Sequence, residues 1–143
     1  MRTLVALMTL LSLGQVAFGD GALAAGDGDR DAARAVILRQ QDAFRHDDAA
    51  AAYAEAAPAI RSIFTSAETF IGMVRQSYVP VYRNRRFEFG TDEAMPDGSF
   101  AQGVRIQDQD GTDWEALYTL ERGDDGAWRI TGCRLRKAPG ASA

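Results

Sequence analysis

Residues 85–135 read RRFEFGTDEAMPDGSFAQGVRIQDQDGTDWEALYTLERGDDGAWRITGCRL, and three Asp-Gly pairs, Asp97-Gly98, Asp110-Gly111 and Asp125-Gly126, cut the stretch into four strand-like segments. Asp-Gly between alternating apolar runs signals a hairpin, because a tight two-residue turn needs positive φ, which Gly adopts freely and Asp tolerates. Four segments joined by such turns make an antiparallel meander. Alternation assigns the faces: Phe87 and Phe89, Val104 and Ile106, Trp114, Ala116, Tyr118 and Leu120, then Trp128 and Ile130 point one way. Glu88, Arg105, Gln107, Glu115, Thr119, Glu121, Arg129 and Thr131 point the other. Leu117, Cys133 and Leu135 break the pattern, and Gly132 is placed to form a bulge that swaps faces near the end of the last segment.

A sheet with one apolar face needs a cover, and the residues before it supply one. Asp31 is placed to cap a helix from Ala32 to His46, whose Ala33, Ile37, Gln40, Gln41 and Phe44 share a face. Asp47 or Asp48 starts a second, Ala-rich helix, and Pro58 suits the first turn of a third through Arg61 and Phe64. Thr65 and Glu68 form a capping box for a fourth, with Phe70, Met73, Val74 and Ser77 on one stripe and Pro80 at its end. The fold class is therefore α+β: N-terminal helices packed on a curved four-stranded antiparallel meander.

Arg2 precedes an uncharged run from Thr3 to Gly19, and Ala22-Leu23-Ala24 fits the small-x-small cleavage rule, with Ala17-Phe18-Gly19 as a second site. Residues 1–24 are thus expected to be a cleaved signal peptide and the product periplasmic or secreted, with no membrane contact after cleavage. Residues 25–30 read as a flexible lead-in, 31–136 as one domain and 137–143 as a flexible tail. A net charge of −4 with a single lysine gives no electrostatic reason to expect nucleic acid as a partner. Cys133 is the only cysteine, which excludes an internal disulfide, and it reads as a buried, inert thiol. One His and one Cys cannot assemble a soft metal site within the chain. Asp108, Asp110, Gly111 and Asp113 fail the spacing of a calcium loop, as do Asp27, Asp29 and Asp31, and both clusters read as turn or cap chemistry. No metal or cofactor is expected.

Helices against a curved sheet that closes with Trp128-Arg129-Ile130-Thr131-Gly132-Cys133 look like the nuclear transport factor 2-like (NTF2-like), or cystatin-like, cone. Ile37-Leu38-Arg39-Gln40-Gln41-Asp42-Ala43-Phe44, Pro58-Ala59-Ile60-Arg61, Met73-Val74-Arg75 and Tyr78-Val79-Pro80-Val81-Tyr82-Arg83 resemble the bacterial family known as domain of unknown function 4864, from Ala32 to Leu135. That resemblance implies a fold and carries no activity. The wider superfamily implies three roles: a ligand pocket in the cone, a sheet that dimerises, or isomerase and dehydratase chemistry of the ketosteroid-isomerase-like type.

The third role needs a carboxylate inside the cone with a Tyr or protonated acid as donor. Glu88, Glu115 and Glu121 alternate outward, where pairing with Arg105 or Arg129 suits them, and Asp42 is out of phase with its helix's apolar face. His46, beside Asp47 and Asp48 at a helix end, has no nucleophile marked nearby. No catalytic residue is assigned. What remains is Arg61, Arg75, Tyr78 and Tyr82 with Gln40 and Gln41, since Arg and Tyr near a largely apolar pocket can orient a small polar or acidic ligand. Their alternative job is to cap helices, pack their stems and bond carbonyls. Non-catalytic binding of such a ligand is the expectation, and a homodimer through the sheet is its rival.

Overall fold

The three Asp-Gly turns are three-residue loops rather than two-residue ones. In the computed structural model, which describes residues 26–140, the Met95 N–H donates to the Ser99 carbonyl at 2.8 Å and the Gly98 N–H to the Met95 carbonyl at 3.0 Å. The loops at 108–112 and 123–127 repeat both bonds. Only the glycine is left-handed, with φ of 86°, 85° and 80° at Gly98, Gly111 and Gly126, so each loop is a type I turn followed by a left-handed residue. The aspartates act as acceptors instead. Asp97 takes the Ser99 N–H and Asp125 the Ala127 N–H, while in the middle loop Asp108 takes those of Asp110 and Thr112.

These loops join β1 (Arg86–Ala94), β2 (Phe100–Gln107), β3 (Asp113–Arg122) and β4 (Trp128–Lys137) into one antiparallel sheet in chain order. Val104, Ile106, Ala116, Tyr118, Leu120, Trp128 and Ile130 are buried on the face that alternation assigned to the core. In β4, Gly132 pairs with Thr119 and Ile130 with Leu120, leaving Thr131 as the extra residue of a bulge. Beyond it the faces swap, so Cys133 and Leu135 pack on the core and Arg134 stands outside. A second bulge, in β1, sets Gly90 and Thr91 against Gly103. Fully buried Gln102 fills it by donating to the carbonyls of Gly90, Thr91 and Gly103, and Gly103 is glycine because a Cβ there would lie 3.0 Å from the Thr91 carbonyl oxygen.

The cover consists of α1 (Gly26–Arg45), α2 (Ala49–Ala54), α3 (Pro58–Ile63), α4 (Ala67–Ser77) and α5 (Val79–Tyr82). Residues 26–30 are the first turn of α1, not a lead-in, and Asp31 lies inside the helix rather than at its cap. Tertiary ion pairs hold that turn in place. Arg30 reaches Asp92 at 2.8 Å, Arg34 reaches the same carboxylate at 3.0 Å and Gln102 at 2.9 Å, and Arg122 reaches Asp29 at 3.0 Å. Asp27 and Asp29 at the helix start also suit its positive end. The Ala33, Ile37, Gln40, Gln41 and Phe44 face is buried as read.

Asp48 caps α2 by accepting the Ala51 N–H. The cap of α4 is Ser66, one residue later than the capping box proposed, and it accepts the Thr69 N–H at 3.1 Å. On α4 Ile71 is buried and Ser77 exposed, the reverse of the expected stripe at those two positions. Pro80 does not end α4; it sits in the first turn of α5, after Tyr78 has closed the longer helix. β4 runs to Lys137, one residue past the expected domain edge. The expected signal peptide lies outside the described residues, among which no helix is long and apolar enough to cross a membrane.

Candidate functional site

Beside the β4 bulge, a cavity of about 240 Å³ lies between helices and sheet. α1 contributes Gln40 and Phe44, α4 contributes Phe70, Met73 and Val74, β3 contributes Tyr118, and β4 the run from Ile130 to Cys133. Ile60, Phe64, Tyr78 and Val81 complete most of the wall. Tyr118 and Trp128 are both buried, yet they do not fill the cone: Trp128 packs edge-on to Phe100 with ring centroids 6.4 Å apart, and Trp114 is held elsewhere by donating to Asp108 at 2.9 Å.

The polar groups on the wall are neutral. Gln40 donates to the Ala52 carbonyl at 3.1 Å and Tyr78 to the Cys133 carbonyl at 3.0 Å. The Tyr118 hydroxyl is fully buried with no hydrogen-bond partner among the described residues. The Gln41 and Cys133 side chains lie alongside it, but Gln41 is already committed, donating to Val81 at 2.8 Å and accepting from Asn84 at 3.2 Å. Burial pushes the Tyr118 hydroxyl well above its usual range, aided by neighbouring Cys133. It likewise pushes the Cys133 thiol up to about 12, against a smaller opposing pull from the Tyr118 hydroxyl. Tyr78 is raised by burial first and by Cys133 second. Among the described residues, no Asp, Glu, His, Arg or Lys lines the cavity.

The residues expected to form a binding constellation divide into separate groups. Arg75 and Tyr82 do meet: Arg75 Nε donates to the Tyr82 hydroxyl at 3.1 Å. Their centre, however, is Asp47, which accepts from Tyr82 and, at 2.7 Å, from Arg83. Tyr82 lies near two guanidiniums, 5.3 Å for Arg75 and 4.3 Å for Arg83 from its ring centroid. The Tyr82 hydrogen bond, and then that of Arg83, hold the Asp47 carboxyl below its ordinary range. Asp47 itself sits at φ 53°, a left-handed position that aspartate tolerates between two helices. Arg61 stands over the Tyr53 ring, whose hydroxyl donates to the carbonyls of Arg61 and Phe64. Gln41 is a structural clamp. Of the set, Tyr78 and Gln40 reach the cavity.

Other expectations resolve locally. Glu115 pairs with Arg136 at 2.7 Å, and Arg129 pairs with Asp125 rather than with a strand glutamate. Glu88 stands 4.0 Å from Arg105. His46 is exposed beside Asp42, and Asp108 serves its turn and Trp114. Asp27, Asp29 and Asp31 are helical rather than turn residues. Sequence reading gave Tyr118 only a place in the core, because its alternation with Ala116 and Leu120 carries no sign that its hydroxyl lacks a partner.

Residues 27–143 match the family described as Domain of unknown function (DUF4864). The chain belongs to that family. The match takes in every residue of the cavity and of the sheet, and the family's description assigns no activity. Comparison with curated proteins finds no match.

Proposed function

We propose that this DUF4864 domain binds a small, uncharged, largely apolar molecule in the cavity beside Tyr118, without catalysis. The observation that carries the reading is a cavity of about 240 Å³ with an apolar wall and only neutral polar groups. A void of about 150 Å³ suffices for benzene, so this one takes a ring with a short substituent. A ligand seated there takes apolar wall out of water, at roughly 25 cal/mol per Å².

The acidic ligand anticipated from the arginines is disfavoured, because Arg61 and Arg75 do not line the cavity. Isomerase chemistry would need a base, and among the described residues no carboxylate or imidazole stands in the wall beside Tyr78 or Tyr118. We also read the product as exported to the periplasm or beyond, on the strength of Arg2, the uncharged run and Ala22-Leu23-Ala24. An N-terminus near Ala25 in protein from the native host would support export, and an intact Met1 segment in its cytoplasm would oppose it.

The test of binding is an NMR titration with indole, toluene and benzoate. Indole and toluene should shift the resonances of Val74, Tyr118 and Ile130, benzoate should not, and Met73→Trp should block both by filling the space. Failure of the neutral probes to shift these residues, or preference for benzoate, overturns the reading.

A further inference from the structure

We infer that the ligand of the cavity is a neutral carbonyl compound, a ketone, aldehyde or ester, whose oxygen accepts a hydrogen bond from the Tyr118 hydroxyl. This rests on the reading that the cavity takes a small apolar molecule, and it adds which polar group that molecule carries.

The other polar side chains of the wall are already engaged. Gln40 donates to the Ala52 carbonyl at 3.1 Å, Tyr78 to the Cys133 carbonyl at 3.0 Å, and Thr131 Oγ1 to Thr119 Oγ1 at 2.9 Å. The Cys133 thiol is weak both as donor and as acceptor. Tyr118 is left. The residue is 1% exposed, yet among the described residues its hydroxyl has no partner. Buried polar groups are nearly always bonded, so an open one in the wall of a cavity marks the place for a partner from outside the chain.

The neighbours of the hydroxyl tell which half of it is open. The Gln41 side chain eases loss of the phenol proton, as an amide N–H turned toward the oxygen does, so the lone pairs already face a donor. The other neighbour is Cys133, whose sulfur accepts poorly. The open half is the O–H. Burial, the largest influence, keeps the proton on the oxygen, and the group stands as a fixed donor.

An unmet donor calls for an acceptor, and the wall narrows the choice. A carboxylate would be buried without a counter-charge, because among the described residues no cation lines the cavity. An alcohol or amine would bring a donor of its own to a wall where the Ala52 and Cys133 carbonyls already hold Gln40 and Tyr78. A carbonyl oxygen brings lone pairs and no donor, and it accepts more strongly than an ether. Sites built to hydrogen-bond one ligand group reject the analogue that lacks it.

The test compares acetophenone with α-methylstyrene, which has the same shape but a methylene in place of the carbonyl oxygen, on the parent and on Tyr118→Phe. Dissociation constants come from NMR titration followed at Val74 and Ile130. Tyr118→Phe should weaken acetophenone about tenfold, the loss of one buried hydrogen bond, and leave α-methylstyrene as tight or tighter. The infrared carbonyl band of isotope-labelled acetophenone should lie below its hexane position on the parent and return toward it on the variant. If both probes bind and the variant affects them equally, or if the parent band stays at its hexane position, the inference is overturned while the apolar cavity stands. Binding of neither probe overturns the cavity reading and this inference together. Should Tyr118→Phe fail to fold by circular dichroism, the parent band decides alone.

Discussion

The Tyr78 hydroxyl donates to the carbonyl oxygen of Cys133 at 3.0 Å, which ties the end of α4 to β4 just past its bulge. Tyr78 also lines an outer cleft of about 500 Å³ with Asp108, Trp114 and Leu135, so it stands in the wall of both that cleft and the cavity. Tyr78→Phe keeps the ring and removes one bond, at an expected cost of about 0.5–1.5 kcal/mol. Tyr78→Ala joins cleft to cavity, should cost about 3–5 kcal/mol, and should speed indole exchange in NMR line shapes. Unchanged exchange in the Ala variant would mean that ligands enter elsewhere.

Cys133 offers a probe of the same wall. Burial raises its thiol from 9.0 to about 12, so at pH 8 its thiolate population falls by about a thousandfold relative to an ordinary cysteine. Labelling by a disulfide reagent should be slow in the native protein and fast in urea, with one thiol released. Fast native labelling would show that the thiol reaches water and that the cavity wall is open there.

How far these features were legible depends on the range of the forces that make them. The strand faces follow from alternation, and the β4 bulge from a glycine placed where the apolar pattern changes phase. The loop length was misread because Asp-Gly marks the left-handed residue without counting the turn residues before it. The start of α1 was illegible for a different reason: its first turn is held by Asp92 and Arg122, far along the chain. Arg75 and Tyr82 do meet, yet their shared partner Asp47 comes from the turn between α1 and α2, and the pair stands outside the cavity lining. Tyr78 was grouped with them near a pocket, and of those three it is the one that lines the cavity. Tyr118 was not, since an orphaned hydroxyl is a property of packing alone.

Trp128 separates burial from hydrogen bonding. Its indole is 7% exposed and its Nε1 has no partner among the described residues. Trp128→Ala should cost about 3–5 kcal/mol through lost transfer energy and cavity. Trp128→Phe keeps an aromatic ring against Phe100 and removes an unsatisfied donor whose burial costs about 1–3 kcal/mol, so it should cost far less. Equal losses in urea denaturation would show that the Nε1 has a partner, such as an ordered water.

Acid should weaken the last hairpin through Asp125. Arg129 donates to both carboxylate oxygens, at 3.1 and 2.7 Å, and this, with the Ala127 N–H, lowers the carboxyl from 3.8 to about 2. A carboxyl depressed in the folded state stabilises it above the unfolded value, and that contribution is lost as pH falls from about 4 through about 2. Asp47, lowered by Tyr82 and then Arg83, and Asp97, lowered by Ser99, act in the same direction. Asp125→Asn retains an acceptor for the Ala127 N–H but not the charge. Its melting temperature should lie below the parent's at pH 7 and converge with it as pH falls below that window. A gap that persists at low pH would assign the effect to turn geometry rather than to the Arg129 pair.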